Sequence, residues 1–456
     1  MTKQSLFGIV GILFVVSGAL GLVYQVVWFK YLSLLLGNTT YAQSIVVATF
    51  MAGLAIGSAL WGRGADRTRH PLRFYASLEF GIGLYGLIYP AILHFLKSAF
   101  LGLILRSNDP PDAPVIPVIK LVVCFFTLLP PTILMGGTLP ILVRFLTRRI
   151  EEAGRDIATL YYLNSFGGVV GSLLCGIFLI RFLGLKTTLF SAALLNLVVA
   201  ATAFALARIP VAAIRPAASS RRRGSDFSPK ERAFALTVAG LSGLAAMVYE
   251  ISWTRLLIPV LGSSTYSFTL MLASFITGIT LGSMIASTAA NRLKNPVGLL
   301  SICQIAIAAS MVGILPLYAR IPYWFWNLAS ILNRSDATYL IFLGLELLLV
   351  FGLMIVPTIF LGITLPVATS IASRDVRSLG SSVGSTFAVN TAGTVVGSLA
   401  AGLLLVPWIG IRHTMEFGVL VNGLLGTAGM ILDTRWQKHS RALWVAGAVA
   451  VAALYI

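Results

Sequence analysis

Charge is what this chain has little of. Only 11% of its 456 residues are Asp, Glu, Lys or Arg, while 57% are hydrophobic. A soluble domain carries about 25% charged residues on its surface, so a water-soluble globular fold is excluded. Cysteine is scarce too: Cys124, Cys175 and Cys303 all sit inside apolar runs, which excludes a disulfide framework. The four histidines, His70, His94, His413 and His439, are scattered, and no Cys/His spacing suits a metal. Neither a G-x-x-x-x-G-K-S/T loop nor a Gly-rich βαβ pattern occurs, so no nucleotide or other cofactor is expected and the chain does not read as an enzyme.

What is present is a series of apolar runs of about 20 residues, the length of a helix that crosses a bilayer. The pattern predicts helices at 5–29, 41–61, 74–96, 115–146, 157–183, 187–208, 233–256, 266–289, 297–318, 337–372, 380–408 and 412–433. This is an all-α polytopic membrane protein whose first partner is the lipid bilayer. Two long helices carry mid-helix prolines, Pro131 and Pro357, where a kink is expected.

The net charge of +18 could suggest nucleic acid. Its distribution argues otherwise. With the N-terminus inside, 23 of the 33 Lys and Arg fall in inner segments, the bias expected of cytoplasmic loops. No nucleic-acid partner is therefore expected, and the chain reads as a cytoplasmic-membrane protein with a cytoplasmic N-terminus.

The sequence also matches itself. Residues 17–67 align without gaps on 242–292, pairing Ser17/Ser242, Tyr24/Tyr249, Trp28/Trp253, Gly37/Gly262 and Arg67/Arg292. One residue further out of step, PTILMGGTLP at 131–140 matches PTIFLGITLP at 357–366, and Asn164 matches Asn390. The repeat divides the chain into a six-helix half (1–208), a basic linker (209–232), and a second six-helix half (233–434). Six spans per unit make the repeats parallel. Residues 435–456 form a basic stretch and an apolar tail that is short for a span and reads as a partial thirteenth helix. The apolar start resembles a signal peptide, but its internal copy argues that it is a membrane helix.

Two parallel six-helix halves joined by a basic loop resemble the major facilitator superfamily. Gly62, Asp66 and Arg67 are similar to that family's G-x-x-x-D-R-x-G-R loop, although Arg69 replaces its second glycine; an ordinary basic loop with a capping aspartate is the plainer reading. The pattern S-G-x-x-x-L-V-Y-x-x-x-W, followed by T-Y and F-x-x-G-x-x-x-G-S, resembles the membrane portion of spermidine-synthase-like membrane proteins of the major facilitator/spermidine synthase fusion type. No synthase domain is visible in this chain. The resemblance implies a major-facilitator fold and an association with polyamines.

Ionisable groups in spans cost about 2.5–3.5 kcal/mol to insert and mark function by default. The repeat aligns Gln25 with Glu250, Glu79 with Gln304, and Lys120 with Glu346, so the same positions are polar in both halves but differently charged. In the resembled fold, helices 1, 4, 7 and 10 line a central cavity, which would bring Gln25, Lys120, Glu250 and Glu346 together in its outer part, about 8–10 Å deep for Glu250. They are candidate substrate groups, with Glu250, Glu346 or Glu79 as proton carriers. Lys120 could equally neutralise Glu346 or Glu250, or reach for the interface.

Tyr24/Trp28 and Tyr249/Trp253 are four apart and share helix faces, as a cation–π lining or as interfacial anchors. Lys30 and Arg255 are candidate outer-gate residues or solvated end charges. The G-x-x-x-G pairs Gly53/Gly57, Gly167/Gly171, Gly278/Gly282 and Gly393/Gly397 allow close helix approach. In the resembled fold they would face across the boundary between halves, where smooth seams let the halves rock. Asn164 and Asn390 read as amides bonded to a neighbouring helix.

The function expected is secondary active transport of a small charged organic solute, polyamine-like cations first, by alternating access. A membrane module that serves a soluble polyamine enzyme as partner, and a lipid-handling protein of the same fold, are the alternatives.

Overall fold

Lipid offers backbone groups no hydrogen bonds, so spanning segments must satisfy them internally. The computed structural model, which describes residues 3–36, 40–107, 115–209, 227–261, 265–290, 295–331 and 336–433, is accordingly helical throughout, with no strand among the described residues. The helices are α1 (Lys3–Leu36), α2 (Thr40–Arg67), α3 (Pro71–Ser107), α4 (Val115–Gly136), α5 (Thr138–Leu146), α6 (Ile150–Leu173) and α7 (Ile180–Leu206) in the first part of the chain. The second part holds α8 (Pro229–Leu261), α9 (Thr265–Ala289), α10 (Pro296–Ile314), α11 (Ile321–Ile331), α12 (Asp336–Ala372), α13 (Leu379–Leu399) and α14 (Val406–Leu432). Ten stretches among the described residues are long and apolar enough to cross a membrane. The apolar tail expected as a thirteenth helix and most of the linker lie outside the described residues.

Two of the ten stretches, Ile150–Leu206 and Val376–Leu432, are 57 residues long. Each contains one glycine in the left-handed region, Gly184 (φ 73°) and Gly410 (φ 80°). A side chain at either position would be strained, and these glycines fall where the sequence predicts the breaks between helices. Ahead of each lies a single π-helical segment, Leu174–Leu179 and Ala400–Leu405, in matching positions of the two parts.

The expected kink at Pro131 is not where the chain breaks. α4 continues through Pro130 and Pro131, and the helix stops instead at Gly137, between α4 and α5. Proline at 131 removes the donor for the carbonyl four residues earlier. The Tyr85 hydroxyl of α3 supplies it, donating to the Thr127 carbonyl at 2.9 Å. α12 likewise runs unbroken through Pro357 and Pro366. α11 was not expected; its Ile321 and Phe325 are buried while Trp326 stays 73% exposed, a disposition suited to a membrane interface.

The eight G-x-x-x-G glycines are a correction. They do not face across the boundary between the two parts of the chain. Gly53 and Gly57 seat α2 on Thr132 and Ile133 of α4; Gly278 and Gly282 seat α9 on Thr358 and Ile359 of α12. Gly167 and Gly171 seat α6 on α1, and Gly393 and Gly397 seat α13 on α8. Each pair therefore clamps helices of one part together, and the motif alone names a flat face without naming what covers it. Contacts between the parts run along α2 with α13 and α6 with α9. They use other small residues: Gly62 meets Gly380 and Gly384, Gly176 meets Thr269, and Gly402 meets Ser44.

A Cβ on Gly282 would collide with the Ile359 carbonyl oxygen, whereas at Gly313 it would meet nothing within 4 Å. Gly282→Ala is expected to cost about 1–3 kcal/mol, lowering the melting temperature, and Gly282→Leu to abolish the monodisperse peak in size-exclusion chromatography. Gly313→Ala should leave both unchanged; an equal effect at the two sites would contradict this packing.

Candidate functional site

A cavity of about 310 Å³ lies between the two parts of the chain, walled by α1, α2, α4–α6, α8, α9, α12 and α13. Periodicity explains which side chains reach it. On α8, Gly243, Ala246, Met247 and Glu250 recur at helical spacing and line the wall, as Leu22 and Gln25 do on α1. Glu250 is the only Asp, Glu, Lys, Arg or His among the described lining residues. Its carboxylate has no hydrogen-bond or ion-pair partner among the described residues. Glu250 and Gln25 stand eleven residues before Leu261 and Leu36, the ends of their helices, a depth of about 16 Å. They lie deeper than expected because both helices run past the charges Lys30 and Arg255.

Asn164 and Asn390 also line the cavity. Each bonds a neighbouring helix, as expected: Asn390 Nδ2 donates to the Ala239 carbonyl at 2.8 Å, and Asn164 Nδ2 to the matching Phe14 carbonyl at 3.5 Å.

The other candidates separate. Glu346 is buried but does not line this cavity. Lys120 falls in α4, and its side chain lies outside the described residues. Glu79 is fully buried among α1, α3 and α7, away from the cavity: Ser17 Oγ donates to Oε1 at 2.6 Å and Asn196 Nδ2 to Oε2 at 2.6 Å. Gln304, its repeat partner, occupies a similar network. Asn422 Nδ2 donates to Gln304 Oε1 at 2.7 Å, Tyr249 hydroxyl donates to Asn422 Oδ1 at 2.8 Å, and Gln304 Nε2 donates to Thr364 Oγ1 on the cavity wall at 3.1 Å.

The expected aromatic lining is also corrected. Tyr24, Trp28, Tyr249 and Trp253 are buried in the helix packing, rotated off the cavity face by their positions beside Gln25 and Glu250. Tyr24 stacks on Trp28 at 5.0 Å and Trp28 on Tyr89 at 5.4 Å. The aromatics that do line the cavity are two repeat-related pairs missed in the sequence, Phe50 with Phe275 and Tyr161 with Phe387. They were findable, since each pair recurs at the repeat offset.

Contacts between the two parts close in on both sides of the cavity. Toward one end of the molecule, Phe29 of α1 stacks on Phe268 of α9 at 4.4 Å, and Ser398 Oγ donates to the Ser44 carbonyl at 3.2 Å. Arg255 Nη2 donates to the Gly402 carbonyl at 3.5 Å, within the second part, while Lys30 is half-buried. Toward the other end, Tyr161 packs edge-on against Phe387 at 5.5 Å, and the Thr159 and Ser287 hydroxyls are 2.6 Å apart. There Asp66 does what a capping aspartate does, but for a distant helix. Its Oδ1 and Oδ2 accept from the Gly380 and Ser381 N–H groups at 2.8 Å each, at the start of α13, with Arg144 Nε 3.6 Å away. Arg67 is exposed, and its repeat partner Arg292 lies outside the described residues.

No family model matches the chain. A curated relative, polyamine aminopropyltransferase 1 of Streptomyces coelicolor, is 29% identical over 168 residues; the match covers 36% of this chain and the chain spans only 28% of that relative. Solved structures match over nearly the whole length. A bacterial homologue of the iron transporter ferroportin, in an outward-facing state, superposes with TM-score 0.59 at 14% identity, covering 94% of this chain and 99% of its own. A major facilitator superfamily proton:xylose symporter gives 0.55 at 15% identity, covering 94% and 95%. The Escherichia coli fucose:proton symporter gives 0.53 at 13%, covering 93% and 99%. The fold is that of the major facilitator superfamily.

Glu79→Gln should leave melting temperature and ligand response intact, because an amide already fills the matching position at Gln304, whereas Glu79→Ala should destabilise; loss of function with an intact fold in Glu79→Gln would return Glu79 to proton coupling. Asp66→Ala, which strips two acceptors from α13, should cost about 0.5–2 kcal/mol, read as a lower melting temperature.

Proposed function

We propose that the protein is a secondary transporter of a small organic cation, working by alternating access about the central cavity. The observation that carries this is Glu250: a carboxylate at mid-depth, half-buried, facing a cavity whose described walls hold no basic side chain. Phe50, Phe275, Tyr161 and Phe387 give that cavity aromatic faces, which attract a cation through the ring quadrupole. Gln25, Asn164 and Asn390 offer carbonyl oxygens to the N–H groups of an amine. Polyamine-like cations fit this chemistry, and the partial relative acts in its name on polyamines.

The Phe29–Phe268 stack and the edge-on Tyr161–Phe387 pair serve as the two gates, broken alternately as the parts of the chain rock. Lys30 and Arg255 flank the first gate. The end with Asp66 and the arginine-rich segments is the cytoplasmic face of a bacterial inner membrane, since 23 of 33 Lys and Arg sit in segments assigned to it. A proton on Glu250 competes with the cation, which couples cation movement to proton movement in the opposite direction.

The test is uptake of labelled putrescine and spermidine into proteoliposomes, with thermal shift as the binding readout. Both solutes should stabilise the wild type. Glu250→Gln should remain folded and lose at least tenfold in apparent affinity, and wild-type binding should weaken as pH falls. Uptake of neutral solutes alone would replace the cation with a sugar-like substrate and leave Glu250 the proton's role. Absence of any uptake would favour a membrane module that hands amines to a soluble enzyme.

A further inference from the structure

A second cavity, of about 530 Å³, opens at the arginine-rich end of the molecule, away from the central one. It is built where four helices begin or end: the turn between α2 and α3, the end of α5 and the end of α7. Arg69, His70, Arg73, Arg144, Arg148 and Arg208 line it, and no acidic residue does among the described residues. Like charges gathered so closely repel one another unless an anion sits among them. Arg144 is partly engaged by Asp66 at 3.6 Å. Arg148 Nε has no hydrogen-bond partner among the described residues.

Two further observations point to a ligand with oxygen acceptors. Thr147 is only 2% exposed, lines the cavity, and its hydroxyl has no partner among the described residues. Pro71, Leu72 and Arg73, which line the same cavity, are the first turn of the 37-residue α3, which carries no acidic residue there. The free N–H groups and dipole of a helix start favour negative charge. Apart from Thr68 the remaining wall is apolar, with Phe145, Leu206 and Ile209, the last 44% exposed. Arg69, Arg73 and Arg208 are exposed while Leu72 and Leu206 are buried, so the cavity sets cations beside an apolar wall, as a headgroup with its glycerol and acyl chains requires.

We propose that this cavity binds the phosphate of an anionic phospholipid from the leaflet on that face. Basic pockets between membrane helices hold such headgroups through the same charge-assisted bonds. The proposal does not depend on what the central cavity carries. The bound phosphate sits beside Arg144, so it adjoins the residue that steadies Asp66 on α13.

The test uses the full chain, delipidated in detergent and titrated with phosphatidylglycerol, phosphatidylcholine or inorganic pyrophosphate, read by native mass spectrometry and thermal shift. Phosphatidylglycerol should be retained and should raise the melting temperature well beyond phosphatidylcholine. Combined Arg73→Gln, Arg148→Gln and Arg208→Gln should weaken that binding at least tenfold. Arg155→Gln with Arg374→Gln and Arg377→Gln, equal in charge but outside the cavity, should not. If the first triple variant is not monodisperse, Arg208→Glu, at an exposed position beyond α7, replaces it and should weaken binding severalfold. Equal response to the two lipids, or full retention in the cavity variants, overturns the site. Protection by pyrophosphate at the same arginines without any lipid preference upholds the phosphate site and overturns the lipid as its source.

Discussion

Everything in this molecule answers to one constraint: a backbone carbonyl or N–H inside lipid has no water to turn to. Helices meet most of that demand, and the side chains that meet the remainder are the ones that shape the structure. Tyr85 reaches across from α3 to the carbonyl that Pro131 leaves without a donor. Asn390 spends its amide on a carbonyl of α8. Asp66 answers two N–H groups at the start of α13, a helix more than 300 residues away in sequence. In a soluble protein water could serve at any of these points. Here each one fixes where a helix can lie, and Asp66 fixes it across the boundary that a transport cycle would have to open.

The same economy separates scaffold from site. Glu79 and Gln304 occupy matching positions and both are consumed by hydrogen bonds within the packing. Gln25 and Glu250 also match, yet they look into the cavity, and there the difference in charge is left exposed. A repeated scaffold supplies paired contacts, and a pair that differs in charge stands out where it also faces the cavity. Glu250 is such a position.

Much of the fold was legible in the sequence because spanning helices have a strong signature in length and apolarity. The breaks at Gly184 and Gly410 and the inter-helix bonds of Asn164 and Asn390 were anticipated. The errors share a cause. Lys30 and Arg255 were read as the ends of α1 and α8, but the long stems of such residues let a helix continue past its charges, so Gln25 and Glu250 lie deeper than counted. The i,i+4 spacing of Tyr24 and Trp28 shows that they share a face but not which face, and one residue from Gln25 is already a turn of about 100°. The glycine pairs marked flat faces correctly, but a flat face does not name its partner. The side chains of Phe50, Tyr161, Phe275 and Phe387 look ordinary in an apolar run and acquire meaning only when two parts of the chain meet.

The two π segments bear on how the parts of the chain meet. A π turn holds one residue more than the α-helical turn it replaces. Delete that residue and everything beyond it rotates, carrying Gly176 off Thr269, or Gly402 off Ser44. Both copies of the repeat keep the extra residue in the same place. The two meetings between the parts of the chain, Gly176 on Thr269 and Gly402 on Ser44, therefore depend on one extra residue apiece, and losing either would unseat one side of the boundary and leave the other in place.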